Sequence, residues 1–120
     1  EMEDAARIFT SAWGDGRPWE TLKPEQRHAI SSRIHMIPPN DDALIHDAGG
    51  LLTPGRLAKI NVPVMFIRGD QSPDAMRIIC DGLAARIPGA SNEVIAGAGH
   101  MAAVTHPVET AALVRKNLNL

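Results

Sequence analysis

The chain has 120 residues, of which 44% are hydrophobic and only 3% are aromatic. This composition predicts one packed unit whose modest core is built from Ala, Val, Ile, Leu and Met, and it disfavours a disordered chain. The formal net charge of −2 gives no electrostatic reason to expect binding to nucleic acid or to an anionic membrane.

Cys80 is the single cysteine, so no intramolecular disulfide can form. No apolar run reaches the roughly 18 residues that span a bilayer, and the acidic N-terminus lacks the basic region of a secretory signal. We therefore expect a cytoplasmic protein. The chain begins with Glu1 rather than Met, which is compatible with an absent upstream part and equally with a processed or tagged start at Met2.

The first 60 residues are predicted to be helical. Apolar residues recur at spacings of three and four in residues 3–13, which indicates an amphipathic helix that Gly14 and Gly16 end. A second helix is expected from about Pro24 to Ile34, because proline suits a first helical turn.

Residues 41–60 predict two short helices separated by a Gly-Gly break. The second of them is expected to begin with Thr53 as its cap and Pro54 as its first residue.

From residue 61 onward the pattern changes to strands and helices in alternation. Residues 62–70, VPVMFIRGD, form an apolar run that is typical of a strand in a parallel sheet. An amphipathic helix is expected from Ser72 as cap to Ile87, before the PGA stretch at 88–90 ends it. A second strand is expected over 92–100 and a last helix over 105–118. This order predicts a right-handed βαβ unit with a covering helix. Because two parallel strands do not make a stable sheet alone, the unit is expected to belong to a larger α/β sheet.

A carboxylate and an imidazole, which can act as acid and base, follow the two predicted strands. Asp70 comes after the first strand, and His100 ends the Gly-x-Gly-His stretch after the second. Because the carboxyl ends of neighbouring parallel strands meet at one edge, we expect both side chains at the same rim. A histidine beside a carboxylate there is the arrangement of a catalytic base and its orienting acid.

These segments resemble the C-terminal end of an α/β-hydrolase. The stretch VPVMFIRGDQSP is similar to the strand that precedes the catalytic acid, and AGAGHMAAVTHPVETAALVRKNL is similar to the strand, histidine loop and helix that end that fold. Residues 1–60 resemble, more weakly, the helical lid inserted before the acid strand. The resemblance implies a helical lid segment (1–60) followed by a core segment (61–120). It also implies hydrolysis of ester-like acyl bonds with His100 as base, Asp70 as acid, and no cofactor or metal.

The sequence departs from this family in two ways. No serine has glycine at both positions two residues away, so the nucleophile elbow G-x-S-x-G is absent. In addition, the place usually held by the acid carries Gln71 and Ser72, while Asp70 directly follows Gly69. The acid is therefore Asp70, with Asp74 as a weaker candidate, or else it lies outside the chain.

Each candidate residue also has a plain structural explanation. His100 could be an inert polar residue at a strand end, and Asp70 a turn residue paired with Arg68. His106 is expected to mark the start of the last helix beside Pro107. Cys80 lies on the apolar stripe of a helix, which predicts a buried thiol. The remaining histidines share no metal-ligand spacing: His28, His35 and His46.

Two hypotheses remain open from the sequence. In the first, the chain is part of a longer hydrolase that acts on a small ester-like molecule, and it supplies the histidine and the acid of the triad. In the second, it is a catalytically inactive truncated module that binds or oligomerises. In both, a second copy or a missing N-terminal chain is expected to cover the sheet edge.

Overall fold

The computed structural model describes all 120 residues, from Glu1 to Leu120. Six α-helices and two β-strands follow one another along the chain, and four short 3₁₀ turns lie among them. The helices are α1 (Met2–Trp13), α2 (Pro24–Ser31), α3 (Asp41–Leu44), α4 (Asp74–Ala84), α5 (Ala102–Thr105) and α6 (Pro107–Leu118). The strands are β1 (Met65–Gly69) and β2 (Ser91–Ile95). The 3₁₀ turns are Trp19–Thr21, Ile34–Met36, Pro38–Asn40 and Leu57–Lys59.

The helical half has its own small core. α1 confirms the amphipathic helix predicted from the spacing of apolar residues. Its buried Ala6 packs with Trp19 and Leu22, and the half-buried Ile30 and Ile34 lie against these three. Trp19 therefore serves as a packing residue that joins α1 to the segment around α2.

The helix expected to begin at Pro54 is not formed. Asp47 instead accepts hydrogen bonds from the backbone N–H groups of Leu51 and Leu52, at 2.6 and 2.8 Å. The guanidinium of Arg56 donates to the backbone carbonyls of Gly49 and Gly50. These side chains satisfy the backbone in a series of turns, and this competes with helix formation. The prediction was wrong because it considered only the capping signal at Thr53. The Asp47 carboxylate, upstream of that cap, binds the backbone N–H groups that precede it.

The two strands form a parallel two-stranded sheet, as the βαβ prediction required. The register pairs Phe66 with Asn92 and Ile67 with Glu93. The Asn92 side chain donates to Asp81 of α4 at 2.6 Å, whereas Glu93 forms an ion pair with Lys116 of α6 at 3.7 Å. Because consecutive strand residues point to opposite faces, α4 and α6 cover opposite faces of the sheet.

The core of the second half lies on the α6 face. Ile95, Ala98 and Ala102 are buried together, and the half-buried Ile67 and Leu113 pack against them. The small alanine side chains let α5 and the loop after β2 come close to the strand ends.

β1 is less buried than its apolar sequence predicts. The strand begins at Met65 rather than at Val62, and its side chains before Gly69 are only half-buried. Both outer edges of the sheet are free of a further strand. No helix in the structure has the length and apolar character needed to cross a membrane.

Candidate active site

The loops that follow β1 and β2 meet at one rim of the sheet. The backbone N–H of Asp70 donates to the carbonyl of Ile95 at 3.1 Å, and that of Gln71 donates to the carbonyl of Ala98 at 2.9 Å. A Cβ on Gly69 would lie 1.9 Å from the Ala98 carbonyl oxygen, so this approach requires glycine. The prediction that the two strand ends share a rim is confirmed.

The Asp70 carboxylate does not contact His100. Its Oδ1 accepts a hydrogen bond of 2.8 Å from the backbone N–H of Gly97, whose φ is +76°. Neither a hydrogen bond nor an ion pair joins Asp70 to His100. The expected carboxylate–imidazole contact is therefore not formed, because Asp70 directly follows Gly69 and lies against the turn at Gly97. Asp70 Oδ2 makes no further hydrogen bond within the chain.

His100 instead contacts the helical half of the protein. Its exposed imidazole lies edge to face with the indole of Trp13, at the end of α1, with ring centroids 5.0 Å apart and an interplanar angle of 85°. This geometry is one that aromatic pairs favour. Residues of the first 60 thus border the predicted base, although the division into lid and core segments stays a prediction.

A polar cavity of about 310 Å³ lies between the end of α1 and the strand-end loops. It contains His100 and also His106, which sequence reasoning placed only at the start of a helix. Its lining consists of Ser11, Ala12, Gly14, Asp15, Gly16, Arg17, Gln71, Gly97, Gly99, His100, Thr105 and His106. No sequence motif marks the residues on the α1 side of the cavity. They become part of it only because the end of α1 packs near the strand-end loops.

Asp15 and Arg17 form an ion pair on the α1 side of the cavity. Arg17 Nε donates to Asp15 Oδ2 at 2.8 Å, Nη2 lies 2.7 Å from the same oxygen, and the Arg17 backbone N–H donates to Oδ1 at 3.1 Å. The hydrogen bond from the Arg17 side chain holds the pKa of Asp15 below its ordinary value. Asp15 is therefore a carboxylate at neutral pH and cannot act there as a proton donor.

No hydroxyl or thiol group is hydrogen-bonded to His100. Ser11 lines the cavity, but its Oγ donates to the Ile8 carbonyl at 2.7 Å within α1. Cys80 is buried in α4, and this burial raises the pKa of its thiol. No group of three or more His, Cys, Asp or Glu side chains is arranged to hold a metal ion.

Neither the known protein families nor the curated proteins include a match to this chain. Among solved structures, the fold is similar to that of Est816, described as an N-acyl homoserine lactone degrading enzyme, with a TM-score of 0.54 and 21% sequence identity. The match covers 97% of this chain and 47% of that one, so this chain spans about half the length of the solved structure. At this identity the likeness concerns the fold alone. It supports a mixed α/β unit of the kind found within a larger enzyme.

Proposed function

We propose that this chain is the C-terminal part of an α/β-hydrolase and supplies the histidine base that cleaves an ester or lactone bond. One observation carries the proposal. The loops after β1 and β2 are hydrogen-bonded to each other at one rim, and the second loop presents His100 to a cavity. Catalytic groups of open α/β sheets gather at this edge. The fold likeness to a lactone-degrading enzyme supports the same reaction class, since a lactone is a cyclic ester.

In this proposal His100 works with a nucleophile from polypeptide outside these 120 residues. The imidazole takes the proton of the nucleophile as it attacks the acyl carbon, and returns it to the leaving oxygen when the ester bond breaks. Water then cleaves the acyl intermediate with the same base. The substrate is a small ester-like molecule, and the reaction requires no cofactor.

Asp70 is the proposed orienting acid. Its Oδ1 accepts a hydrogen bond from the Gly97 N–H. The proposal requires Oδ2 to accept the second imidazole N–H of His100 once the side chains have rotated. A carboxylate in this role selects one tautomer of the histidine and stabilises its cation. The rotation would exchange the Trp13 contact of His100 for the Asp70 contact.

The test begins with the coding sequence upstream of residue 1. We expect a strand followed by G-x-S-x-G, and a full-length product that hydrolyses short-chain esters or lactones. His100→Gln should lower kcat by about 10³-fold or more, whereas His28→Gln, on α2 away from the cavity, should not. An upstream region without a nucleophile elbow, or full turnover in His100→Gln, would contradict the proposal.

A second candidate function is a non-catalytic binding or oligomerisation module. Two observations favour it. The sheet leaves both outer edges unpaired, and Ile78, Ile79 and Val94 are about half exposed. The radius of gyration is 16.6 Å, compared with about 14 Å for a compact domain of this length. Such a shape suits a unit that packs against a second copy or against further N-terminal chain.

The two candidates differ in what happens when the upstream polypeptide is joined to the 120-residue chain. The module hypothesis expects a stable product that forms a defined oligomer in sedimentation experiments and shows no hydrolysis. The hydrolase hypothesis also expects no hydrolysis from the chain alone, but it expects activity once the upstream polypeptide is joined to it. Turnover by the joined protein therefore separates the two.

A further inference from the structure

Arg68 of β1 lies on the face of the sheet that α4 covers. Its neighbour Ile67 packs into the core on the α6 face, and consecutive strand residues point to opposite faces. Burial raises the pKa of the Cys80 thiol in α4, and the positive charge of Arg68 partly offsets this rise. The guanidinium is therefore near that thiol. The Arg68 side chain is half-buried, and its Nε is shielded from solvent.

The Arg68 guanidinium has no anionic partner within the chain. It takes part in none of the ion pairs of the structure, and its Nε makes no hydrogen bond. The pair with Asp70 that the sequence allowed is not formed. The acid of α4 has other partners, because Asp81 Oδ1 accepts a hydrogen bond from Asn92 and Oδ2 lies 3.8 Å from Arg77 Nη1. A half-buried charge without a partner costs free energy, which favours binding of a carboxylate from outside the chain.

The outer edge of β1 is the side from which such a carboxylate can approach. On its inner edge β1 pairs with β2, where Val94 stands opposite Arg68. No strand pairs with the outer edge, and the side chains of β1 before Gly69 are only half-buried. A strand added there would lie about 5 Å away, so that its side chains on the α4 face would reach Arg68.

A second copy of the chain does not supply the carboxylate through its own strands. On the α4 face its β1 would bring another Arg68, and its β2 would bring Asn92 and Val94. The acid of β2, Glu93, points to the opposite face, where it pairs with Lys116 of α6. The carboxylate must therefore come from a different polypeptide segment.

We infer that the outer edge of β1 binds a strand of the upstream polypeptide, and that an Asp or Glu of this strand forms an ion pair with Arg68. The inference rests on the part of the proposed function in which the chain belongs to a longer α/β protein. It adds the chemistry of the contact. The other side chains of the strand on this face are apolar, because they lie beside the half-buried Phe66. α4 shields the ion pair from water, which strengthens it.

The first part of the test compares the chain alone with the protein that includes the upstream polypeptide. Arg68→Met removes the charge and keeps an unbranched side chain. In the 120-residue chain the urea midpoint should stay equal or rise, because an unpaired half-buried charge is lost. In the joined protein the equilibrium constant for unfolding should increase by about 10-fold or more, because the partner carboxylate is left unpaired. Arg115→Met, on the exposed side of α6, is the control and should change both proteins alike.

The second part identifies the carboxylate. Arg68→Lys keeps the charge and introduces an amine, which a carbodiimide joins to a carboxylate in direct contact with it. Mass spectrometry of the joined protein should then find a link from position 68 to an Asp or Glu of an upstream strand. Arg115→Lys is the matched control and should give no link to that strand.

Three outcomes would overturn the inference: a lower urea midpoint of the chain alone in Arg68→Met, unchanged stability of the joined protein in the same variant, or no link from position 68 to an upstream acid. These outcomes are distinct from failure of the hydrolase proposal. If the joined protein hydrolyses esters in a His100-dependent manner without the link, only the role of Arg68 fails. If the link and the stability change are found but turnover does not depend on His100, the catalytic proposal fails.

Discussion

The indole of Trp13 meets the imidazole of His100 edge to face, with ring centroids 5.0 Å apart. This contact joins the last residue of α1 to the loop after β2, and the two residues are 87 positions apart in the sequence. Asp70 is bonded to the Gly97 N–H and not to His100. The ring contact of His100 is therefore made with the helical half of the protein.

Replacing Trp13 by Leu should release the His100 ring. The edge-to-face contact contributes about 1 kcal/mol to the free energy of unfolding, and the ring current of the indole should displace the NMR signals of the imidazole. We expect the His100 signals of Trp13→Leu to move toward those of an exposed histidine, with a matching loss of stability in urea. Trp13→Phe keeps an aromatic ring and is the control. Unchanged His100 signals in Trp13→Leu would contradict the contact.

Two glycines of the same rim should respond very differently to alanine. A Cβ on Gly69 would clash with the Ala98 carbonyl at 1.9 Å, whereas a Cβ on Gly99 meets nothing within 4 Å. Gly69→Ala should lower the free energy of unfolding by about 3 kcal/mol, because backbone atoms must shift. Gly99→Ala should change it by less than about 1 kcal/mol. Urea unfolding measures both, and equal effects would mean that the two loops are not in contact.

Removing the Asp70 carboxylate should loosen the turn at Gly97. The hydrogen bond from the Gly97 N–H to Oδ1 is a charge-assisted contact near the surface, so its loss in Asp70→Ala should cost about 1 kcal/mol. Hydrogen exchange of the Gly97 amide should become faster. Asp70→Asn retains an oxygen acceptor and should give an intermediate rate. An exchange rate in Asp70→Ala equal to that of the unchanged chain would show that the bond is absent in solution.

The Cys80 thiol should be unreactive in the folded protein. Burial raises its pKa above the ordinary value, so the folded state holds less thiolate at a given pH than the unfolded state does. The folded state binds more protons there, and stability should fall as the pH rises from the ordinary value through the raised one. Cys80→Ala should lack this alkaline loss.

Thiol-reagent kinetics and urea unfolding between pH 8 and 11 would measure these two effects. Fast labelling of Cys80 without denaturant, or the same alkaline loss of stability in Cys80→Ala, would contradict the burial of the thiol.

Much of the fold follows from local patterns in the chain. The spacing of apolar residues in α1 and the proline at the start of α2 and α6 predict helices, because these signals act within a few residues. The β-branched run before Gly69 and the alternation with α4 predict the parallel pair. The failed helix at Pro54 shows the limit of this reasoning, since Asp47 competes for the same backbone from several residues upstream.

Part of the candidate site can be predicted from the sequence, and part of it depends on the tertiary structure. Asp70 and His100 are recognisable in the sequence because each follows a strand, and parallel strands bring their carboxyl ends to one edge. The contact of His100 with Trp13, the bond of Asp70 to Gly97 and the cavity that includes His106 and Arg17 arise from the packing of α1 against the strand-end loops. Such contacts join residues distant in the chain, and no local pattern encodes where surfaces formed by distant segments come to lie against each other.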